Sequence, residues 1–275
     1  MTVFGASFAT YALGGWRRSI LCKYATRLYQ SNGSSIFTYS FLKGTTAPLV
    51  EEVDNSFLLK HKSDAKKIFS LNPTYIPPSY FNHQLPSAGR PEVAFVGRSN
   101  VGKSSLVEAL LGTKGLLRIS KEPGCTTTLN YYALAKGSAL DDHACYLIDM
   151  PGYGFAKIAK QQQKKWLEIV NSYLMNRDQL LLRRVFVLID SRRGVQMQDV
   201  EMMEMLNHAH IPYQVVLTKK DLVSDKEIKE KLFELFCVIS RKKNNSCLPL
   251  VHVVSALKGL GLEDLRLSIV EIVCR

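Results

Sequence analysis

The chain has 275 residues, of which 46% are hydrophobic, and its 36 Lys and Arg against 24 Asp and Glu give a net charge of +12. This composition is typical of a globular protein, and no apolar run is long enough to cross a bilayer as a helix. The six cysteines show no C-x-x-C and no metal-ligand spacing. We therefore expect free thiols in a reducing compartment and no structural metal site.

The N-terminus has the composition of a mitochondrial transit peptide. Residues 1–50 contain five basic residues and no acidic one. Four apolar residues within this stretch recur at helical spacing, Trp16, Ile20, Tyr24 and Leu28. With the neighbouring basic residues they predict an amphipathic helix, whereas a secretory signal would place its charge before the apolar stretch. We predict a leader over residues 1–44 and a location in the mitochondrial matrix, with a surface helix of the mature protein as the alternative.

The remaining chain divides into a connector and a body. Residues 45–88 are interrupted by prolines and carry no recognisable chemistry, so we interpret them as a connector. The body, 89–275, alternates apolar β-branched runs with helical patterns. Strands are predicted at 91–97, 131–136, 144–150, 184–190, 213–219 and 250–255. Helices are predicted at 103–111, 158–175, 197–209, 225–240 and from about 262. This alternation indicates an α/β sheet covered by helices on both faces, with binding loops after the strands.

The sequence GRSNVGKS at 97–104 fits the phosphate-binding pattern G-x-x-x-x-G-K-[ST]. It follows a predicted strand and opens a predicted helix, which is the context that the motif requires. Its glycines let backbone N–H groups surround phosphates, Lys103 adds a positive charge, and the Ser104 hydroxyl can bind Mg²⁺. The candidate nucleotide-binding residues here are Gly97, Arg98, Ser99, Asn100, Val101, Gly102, Lys103 and Ser104.

Two later loops favour guanine over adenine. TKKD follows a predicted strand, and its Asp221 carboxylate can accept hydrogen bonds from N1 and N2 of guanine, whereas adenine would present an acceptor there. Lys219 can lay its alkyl stem along the base. VSALK, after the last strand, can supply a backbone N–H to guanine O6. The candidate base-binding residues are Thr218, Lys219, Lys220, Asp221, Val254, Ser255 and Ala256.

Two further loops can bind Mg²⁺ and sense the γ-phosphate. In DMPG, Asp149 can hold the metal through water and Gly152 can donate its N–H to the phosphate, with Met150 and Pro151 between them. The segment between the first helix and second strand of the body is the candidate first switch. Its candidate residues are Gly124, Cys125, Thr126, Thr127 and Thr128. Any of the three threonines could bring a hydroxyl to the metal, and residue chemistry does not choose among them.

Together these stretches resemble the EngB family of GTPases, in the group that also includes TrmE, Era and EngA. The match runs through PEVAFVGRSNVGKSSL, PGCTTTLNYY, DMPGYGFAK, TKKDLV and VSALKGLGLEDL, and it covers roughly residues 89–275. The resemblance implies a Ras-like fold with a six-stranded mixed sheet, binding of GTP or GDP with Mg²⁺, and a role in assembling the large ribosomal subunit. It also implies that Thr126 is the metal ligand beside Ser104 and Asp149.

Two positions depart from the general GTPase pattern. Thr218 stands where many GTPases have asparagine, so we expect a cross-link to the phosphate-binding loop to be lost and affinity to be modest. Tyr153 replaces the glutamine that orients the attacking water in Ras-like proteins, so we expect slow unassisted hydrolysis from a mobile switch loop. Lys103, Gly152 and Asn100 are the candidate catalytic residues, and Asn100 is the candidate ligand of an activating K⁺.

Basic residues are concentrated after the DMPG loop and predict an RNA partner. Lys157 directly precedes the predicted helix 158–175, and Lys160, Lys164 and Lys165 lie in its first two turns. They could contact rRNA phosphates when GTP is bound, or they could form a solvated face without a partner. We therefore expect a monomeric GTPase that acts on the mitochondrial large ribosomal subunit. The alternatives are a guanine-nucleotide switch for a protein or membrane partner and a scaffold stabilised by its nucleotide.

Overall fold

The computed structural model describes residues 35–41, 48–53, 62–70, 73–76, 89–113, 129–135, 143–153, 168, 170–178, 180–240 and 245–274. Most of the predicted leader and most of the predicted helix 158–175 lie outside these ranges. The basic residues at 157–165 and the candidate first switch at 124–128 lie outside them as well.

The described residues contain nine strands in one sheet. The strands are β1 Ile36–Phe41, β2 Pro48–Glu52, β3 Thr74–Ile76, β4 Glu92–Gly97, β5 Asn130–Ala135, β6 His143–Asp149, β7 Leu182–Asp190, β8 Tyr213–Thr218 and β9 Cys247–Val253. They are ordered β2-β1-β9-β8-β7-β4-β6-β5-β3. The five central strands run parallel and the outer pairs run antiparallel. The parallel centre brings the carboxyl ends of its strands to a common edge, where ligands bind in such sheets.

The prediction of six strands is wrong in number, although all six predicted strands form. The three additional strands are β1, within the range assigned to the leader, and β2 and β3, within the connector. β2 and β3 are the two edge strands, and β1 pairs antiparallel between β2 and β9. An edge strand needs only one apolar face, so it lacks the continuous apolar run that identifies a central strand.

Helices cover both faces of the sheet, as predicted. They are α1 Lys62–Ser70, α2 Lys103–Leu111, α3 at 170–176, α4 Met197–His208, α5 Asp225–Ser240 and α6 Leu262–Val273. One hydrophobic cluster joins the sheet to α1, α2 and α6, and the other joins it to α3, α4 and α5. Every residue of β4 and β8 is buried because helices exclude water from both faces.

The methionines of α4 and the described cysteines show how individual side chains lie relative to this core. Met202 and Met203 of α4 are buried against the sheet, whereas Met197 at its start is exposed. The four cysteines that the structure describes are free thiols: Cys145, Cys237, Cys247 and Cys274. No helix in the described ranges combines the length and the hydropathy that a membrane span requires.

Candidate functional site

The phosphate-binding loop connects the end of β4 to the start of α2. Gly97 lies where a Cβ atom would be 2.9 Å from Val101 Cγ1 and 3.0 Å from the backbone oxygen of Leu188, so a side chain would not fit. Asn100 and Gly102 both have left-handed backbones, with φ of 62° and 97°. Gly102 adopts this conformation without strain, and asparagine tolerates it better than most residues. The sequence therefore suits the tight turn that directs backbone N–H groups toward a phosphate.

Lys103, Ser104 and Asp149 meet at the carboxyl ends of β4 and β6. Lys103 Nζ donates to Asp149 Oδ1 in an ion pair whose two residues are 6% and 1% exposed. Ser104 Oγ lies 3.4 Å from Asp149 Oδ2. These two oxygens are hard donors close enough to serve one divalent cation, which fits the oxygen-only ligand set that Mg²⁺ prefers. When bound, Mg²⁺ would neutralise charge on the β- and γ-phosphates, and Lys103 would add its own charge there.

The DMPG loop packs directly on the phosphate-binding loop. Ser99 N donates to the Tyr153 carbonyl at 2.9 Å, and Tyr153 N donates to the Gly97 carbonyl at 3.1 Å. A Cβ atom on Gly152 would lie 3.3 Å from both the Gly97 oxygen and Ser99 N. A side chain at position 152 would therefore push the two loops apart. Their backbone hydrogen bonds give a physical route by which γ-phosphate contact at one loop changes the position of the other.

The Tyr153 side chain points into the core. It is 5% exposed, and its hydroxyl donates to Asp199 Oδ1 at 2.8 Å near the start of α4. Burial, followed by the charge of Asp199, raises the pKa of Tyr153 well above its ordinary value. The phenol thus cannot act as a base near neutral pH, and its ring is anchored in the core. The expectation of a mobile switch loop around it stays a prediction. Asp199 is held in turn by Gln196 N at 2.9 Å, and burial raises its pKa.

Thr218 does cross-link the base-binding loop to the phosphate-binding loop. Its hydroxyl donates to the Val101 carbonyl at 2.7 Å and lies 3.3 Å from the Ile189 carbonyl. The expectation that the cross-link is lost without an asparagine amide is therefore wrong. A threonine hydroxyl at the end of β8 is close enough to the loop to replace the amide as donor.

Lys219 lies across the phosphate-binding loop. Its Nζ donates to the Asn100 carbonyl at 2.6 Å and to Asp190 Oδ2 at 2.9 Å. Its Cε lies 3.6 Å from the position that a Cβ atom on Gly102 would occupy. The ammonium group is thus fixed at its far end, which leaves the alkyl stem extended above the loop where a purine base can lie.

Asp190 is a site residue that the sequence patterns did not identify. It lies at the end of β7, and its carboxylate accepts a hydrogen bond from Lys219 Nζ. It also accepts three from Arg192: from the backbone N at 3.0 Å, from Nε at 3.0 Å and from NH2 at 2.7 Å. Burial would raise its pKa, but these hydrogen bonds from Arg192 and Lys219 lower it well below its ordinary value. Asp190 therefore stays ionised and keeps Lys219 in place. Its position as the last residue of the run RVFVLID, at the carboxyl end of a strand, was the available signal.

The guanine-recognition residues converge on Asp221. Ser255 Oγ donates to Asp221 Oδ1, which orients the carboxylate. Lys220 N donates to the Val254 carbonyl at 3.0 Å, so the two loops are joined through their backbones as well. The Lys220 side chain turns away to Asp225 at 2.7 Å. Ala256 lies in the turn that follows Ser255, where its backbone can face a base held by Asp221.

The structure brings the four described loops together at one end of the sheet. Met150 and Pro151 of the DMPG loop are buried, and Arg98 pairs with Tyr153 as an isolated β-bridge. The candidate first-switch residues lie outside the described ranges, so the choice of Thr126 stays a prediction. A phosphate-binding loop, a metal-ligand pair and a guanine-selective carboxylate define a P-loop GTPase.

Comparison with known proteins gives the particular family. A family model described as "50S ribosome-binding GTPase" matches residues 92–219. "Probable GTP-binding protein EngB" of Hyphomonas neptunium is 45% identical over 186 residues, covering 67% of this chain and 80% of that protein. The chain belongs to the EngB family of GTP-hydrolysing P-loop proteins.

Two solved structures support the same fold. A crystal structure of a probable GTP-binding protein engB has a TM-score of 0.50 and 25% identity, covering 66% of this chain and 98% of that one. Era in complex with MgGDPNP and nucleotides of 16S ribosomal RNA has a TM-score of 0.51 and 25% identity, covering 66% of this chain and 56% of that one. The Ras-like class of the domain is therefore confirmed.

Proposed function

We propose that this protein is a GTP-dependent assembly factor of the mitochondrial large ribosomal subunit, acting as a monomer in the matrix. The observation that carries the proposal is the match of residues 92–219 to a family of ribosome-binding GTPases. That range contains the phosphate-binding loop, the DMPG loop and the first two residues of TKKD. The acid-free, basic N-terminus supports the location because import into the matrix uses leaders of this composition.

Charge supports an RNA partner. Residues 97–275 carry 26 basic and 19 acidic residues, so the GTPase body alone has an excess of seven positive charges. Neutralising RNA phosphates releases counterions, and binding of this kind weakens steeply as salt rises. Basic residues just beyond the γ-phosphate-sensing loop would couple that binding to the nucleotide state.

The test is sedimentation of mitochondrial ribosomal particles with the protein present. We expect it to sediment with large-subunit particles in a non-hydrolysable GTP analogue and to remain at the top of the gradient with GDP. The Asp221→Ala variant, which loses the guanine-selective carboxylate, should remain at the top under both conditions. Absence from ribosomal fractions in every nucleotide state would reject the ribosomal role, and sedimentation with membranes or another protein would favour a different switch function.

A second experiment tests RNA contact directly. Charge reversal at Lys164 and Lys165 should weaken binding to ribosomal RNA more than binding to GDP. A matched reversal at Lys226 and Lys229, both exposed on α5, should leave RNA binding nearly unchanged. Equal RNA affinity in the two variants would show that the basic segment after the switch is not the contact surface.

We also propose that K⁺ assists hydrolysis through Asn100. This residue lies at the exposed tip of the phosphate-binding loop, and its carbonyl is fixed by Lys219. A cation held by its side chain would supply the positive charge that an arginine finger supplies in other GTPases. Turnover should be faster in KCl than in NaCl, and Asn100→Ala should remove that difference. Equal rates in both salts would reject the proposal.

A further inference from the structure

The hairpin formed by β1 and β2 lies outside the range that the family model matches, and it packs beside the strand that leads into the guanine-recognition loop. We use "guanine loop" for residues 254–260. The hairpin precedes the matched range 92–219 in the sequence, and β1 pairs antiparallel with β9, the strand from which the guanine loop begins. The residue before β1, Ser35, reaches both ends of that loop.

Ser35 holds the start of the guanine loop through its backbone and the end through its side chain. Its carbonyl accepts from Val253 N at 2.7 Å, immediately before the loop. Its hydroxyl donates to Asp264 Oδ2 in the first turn of α6, just after the loop. Both residues of the side-chain pair are half-buried, which shields the hydrogen bond from water in part.

Gly261 makes this close approach possible. It begins α6 with a left-handed φ of 69°, a conformation that favours glycine. A Cβ atom at this position would lie 2.5 Å from the Val253 carbonyl and 2.9 Å from Ser35 Oγ. The absence of a side chain therefore lets Ser35 pack against the point where the guanine loop ends.

Within the loop, hydrogen bonds lead from these fixed ends to the base-recognising carboxylate. Ser255 N donates to the Leu260 carbonyl at 3.0 Å, which closes the loop. Lys258 N donates to Ser255 Oγ at 3.1 Å, and Ser255 Oγ donates to Asp221 Oδ1. A displacement of either end of the loop would therefore move the hydroxyl that orients Asp221.

We propose that Ser35 is a positioning residue for guanine recognition, acting through Asp264 to hold the guanine loop against Asp221. The N-terminal hairpin is then part of the nucleotide site and not only a connector. Cleavage of the leader must then fall before Ser35, N-terminal to the predicted boundary at residue 44, for full nucleotide affinity. The phosphate end of the site is held by other elements, so its chemistry is independent of Ser35.

The test uses the full chain with Ser35→Ala, Asp264→Ala and the double variant. The dissociation constant for GDP is measured at equilibrium, and hydrolysis is measured at saturating GTP. We expect each single variant to bind GDP about three- to tenfold more weakly, the range for loss of one hydrogen bond. Turnover at saturating GTP should stay within about twofold of the parent, because Lys103, Ser104 and Asp149 do not contact the hairpin.

Two controls separate positioning from a general loss of structure. Ser35→Thr retains the hydroxyl and should restore GDP affinity. Ser70→Ala removes a hydroxyl that donates to the Lys66 carbonyl within α1, and it should have no effect on GDP binding. If Ser35 and Asp264 act through one hydrogen bond, the double variant should bind GDP no more weakly than either single variant.

Unchanged GDP affinity in Ser35→Ala would overturn the inference. So would additive losses in the double variant, or an equal fall in affinity and saturated turnover. None of these results depends on a ribosomal partner, so the outcome is separate from that of the sedimentation experiment.

Discussion

Two buried ion pairs lie at opposite ends of β4, and they differ in how fully their charged atoms are satisfied. At the amino end, Glu92 is 0% exposed and accepts from Arg177 Nε at 2.8 Å, from Arg177 NH2 and from the Tyr173 hydroxyl at 2.8 Å. At the carboxyl end, Asp149 of β6, which lies beside Phe95 of β4, pairs with Lys103. The first carboxylate has donors on both oxygens from a rigid guanidinium fork, whereas the second pairs with a flexible ammonium group.

This difference separates a structural pair from a functional one. A planar guanidinium held in two hydrogen bonds cannot leave without exposing a buried charge, so the Glu92–Arg177 pair fixes the segment after α3 to β4. A lysine is a mobile point charge with three donors, and it can turn from Asp149 toward phosphate oxygens. The carboxyl ends of parallel strands are also where ligands reach the sheet. Chemistry is therefore expected only at the second pair.

The largest expected effect is on stability, from breaking the pair at the amino end. Arg177→Ala leaves Glu92 buried without its cation and should reduce the free energy of unfolding by about 3–5 kcal/mol. Urea unfolding at neutral pH measures this, with the exposed Arg193→Ala as a matched control that should change stability little. Per folded molecule, GTP turnover should be unaffected. An unchanged unfolding midpoint would show that this pair does not stabilise the fold.

The next effect concerns nucleotide chemistry, from breaking the pair at the carboxyl end. Lys103→Met removes the charge that faces the phosphates and should lower GTP turnover by about 10²–10³-fold, as loss of one preorganised transition-state donor does. Lys226→Met, at an exposed position of α5, is the control and should leave turnover nearly unchanged. Circular dichroism should show that both variants are folded. Near-normal turnover in folded Lys103→Met would contradict the assignment.

A third prediction concerns a buried polar group with no partner among the described residues. His252 of β9 is 0% exposed, neither ring nitrogen has a hydrogen-bond partner there, and burial lowers its pKa to about 3. Below the unfolded pKa of about 6.5, the unfolded chain binds a proton that the folded chain does not. Stability should therefore fall by about 1.4 kcal/mol per pH unit, or about 2 kcal/mol between pH 6.5 and 5.

The comparison variant for this prediction is His252→Leu, which removes the titrating ring from its position beside Phe186. The free energy of unfolding is measured for both proteins from pH 7 to pH 5. The difference between them should grow in favour of the variant as pH falls, because the remaining groups titrate alike in both. Parallel curves across this range would show that His252 does not resist protonation in the fold.

Local sequence patterns predicted the parts of the site that are contiguous in the chain. The phosphate-binding loop and DMPG were identifiable because glycine, lysine and aspartate spacing follows from the phosphate and metal geometry itself. The Glu92–Arg177 pair was not, since its members are separated by 85 positions and form only when the sheet assembles. The hairpin at β1 and β2 was missed for a related reason: its pairing partner, β9, lies about 200 residues later.

The smallest expected effect tests the link between the two loops that Thr218 joins. Thr218→Val keeps the shape of the side chain but removes the hydroxyl that donates to the Val101 carbonyl. Loss of one buried neutral hydrogen bond costs about 1 kcal/mol, so GDP should bind about fivefold more weakly. Thr218→Ser keeps the hydroxyl and should bind GDP like the parent.

Weakened binding in both variants would assign the effect to the lost methyl group. Unchanged binding in Thr218→Val would mean that the two loops are held together without this bond. If the hydroxyl matters, the phosphate-binding loop depends on β8 as well as on β4, which explains how this family member retains the cross-link without an asparagine.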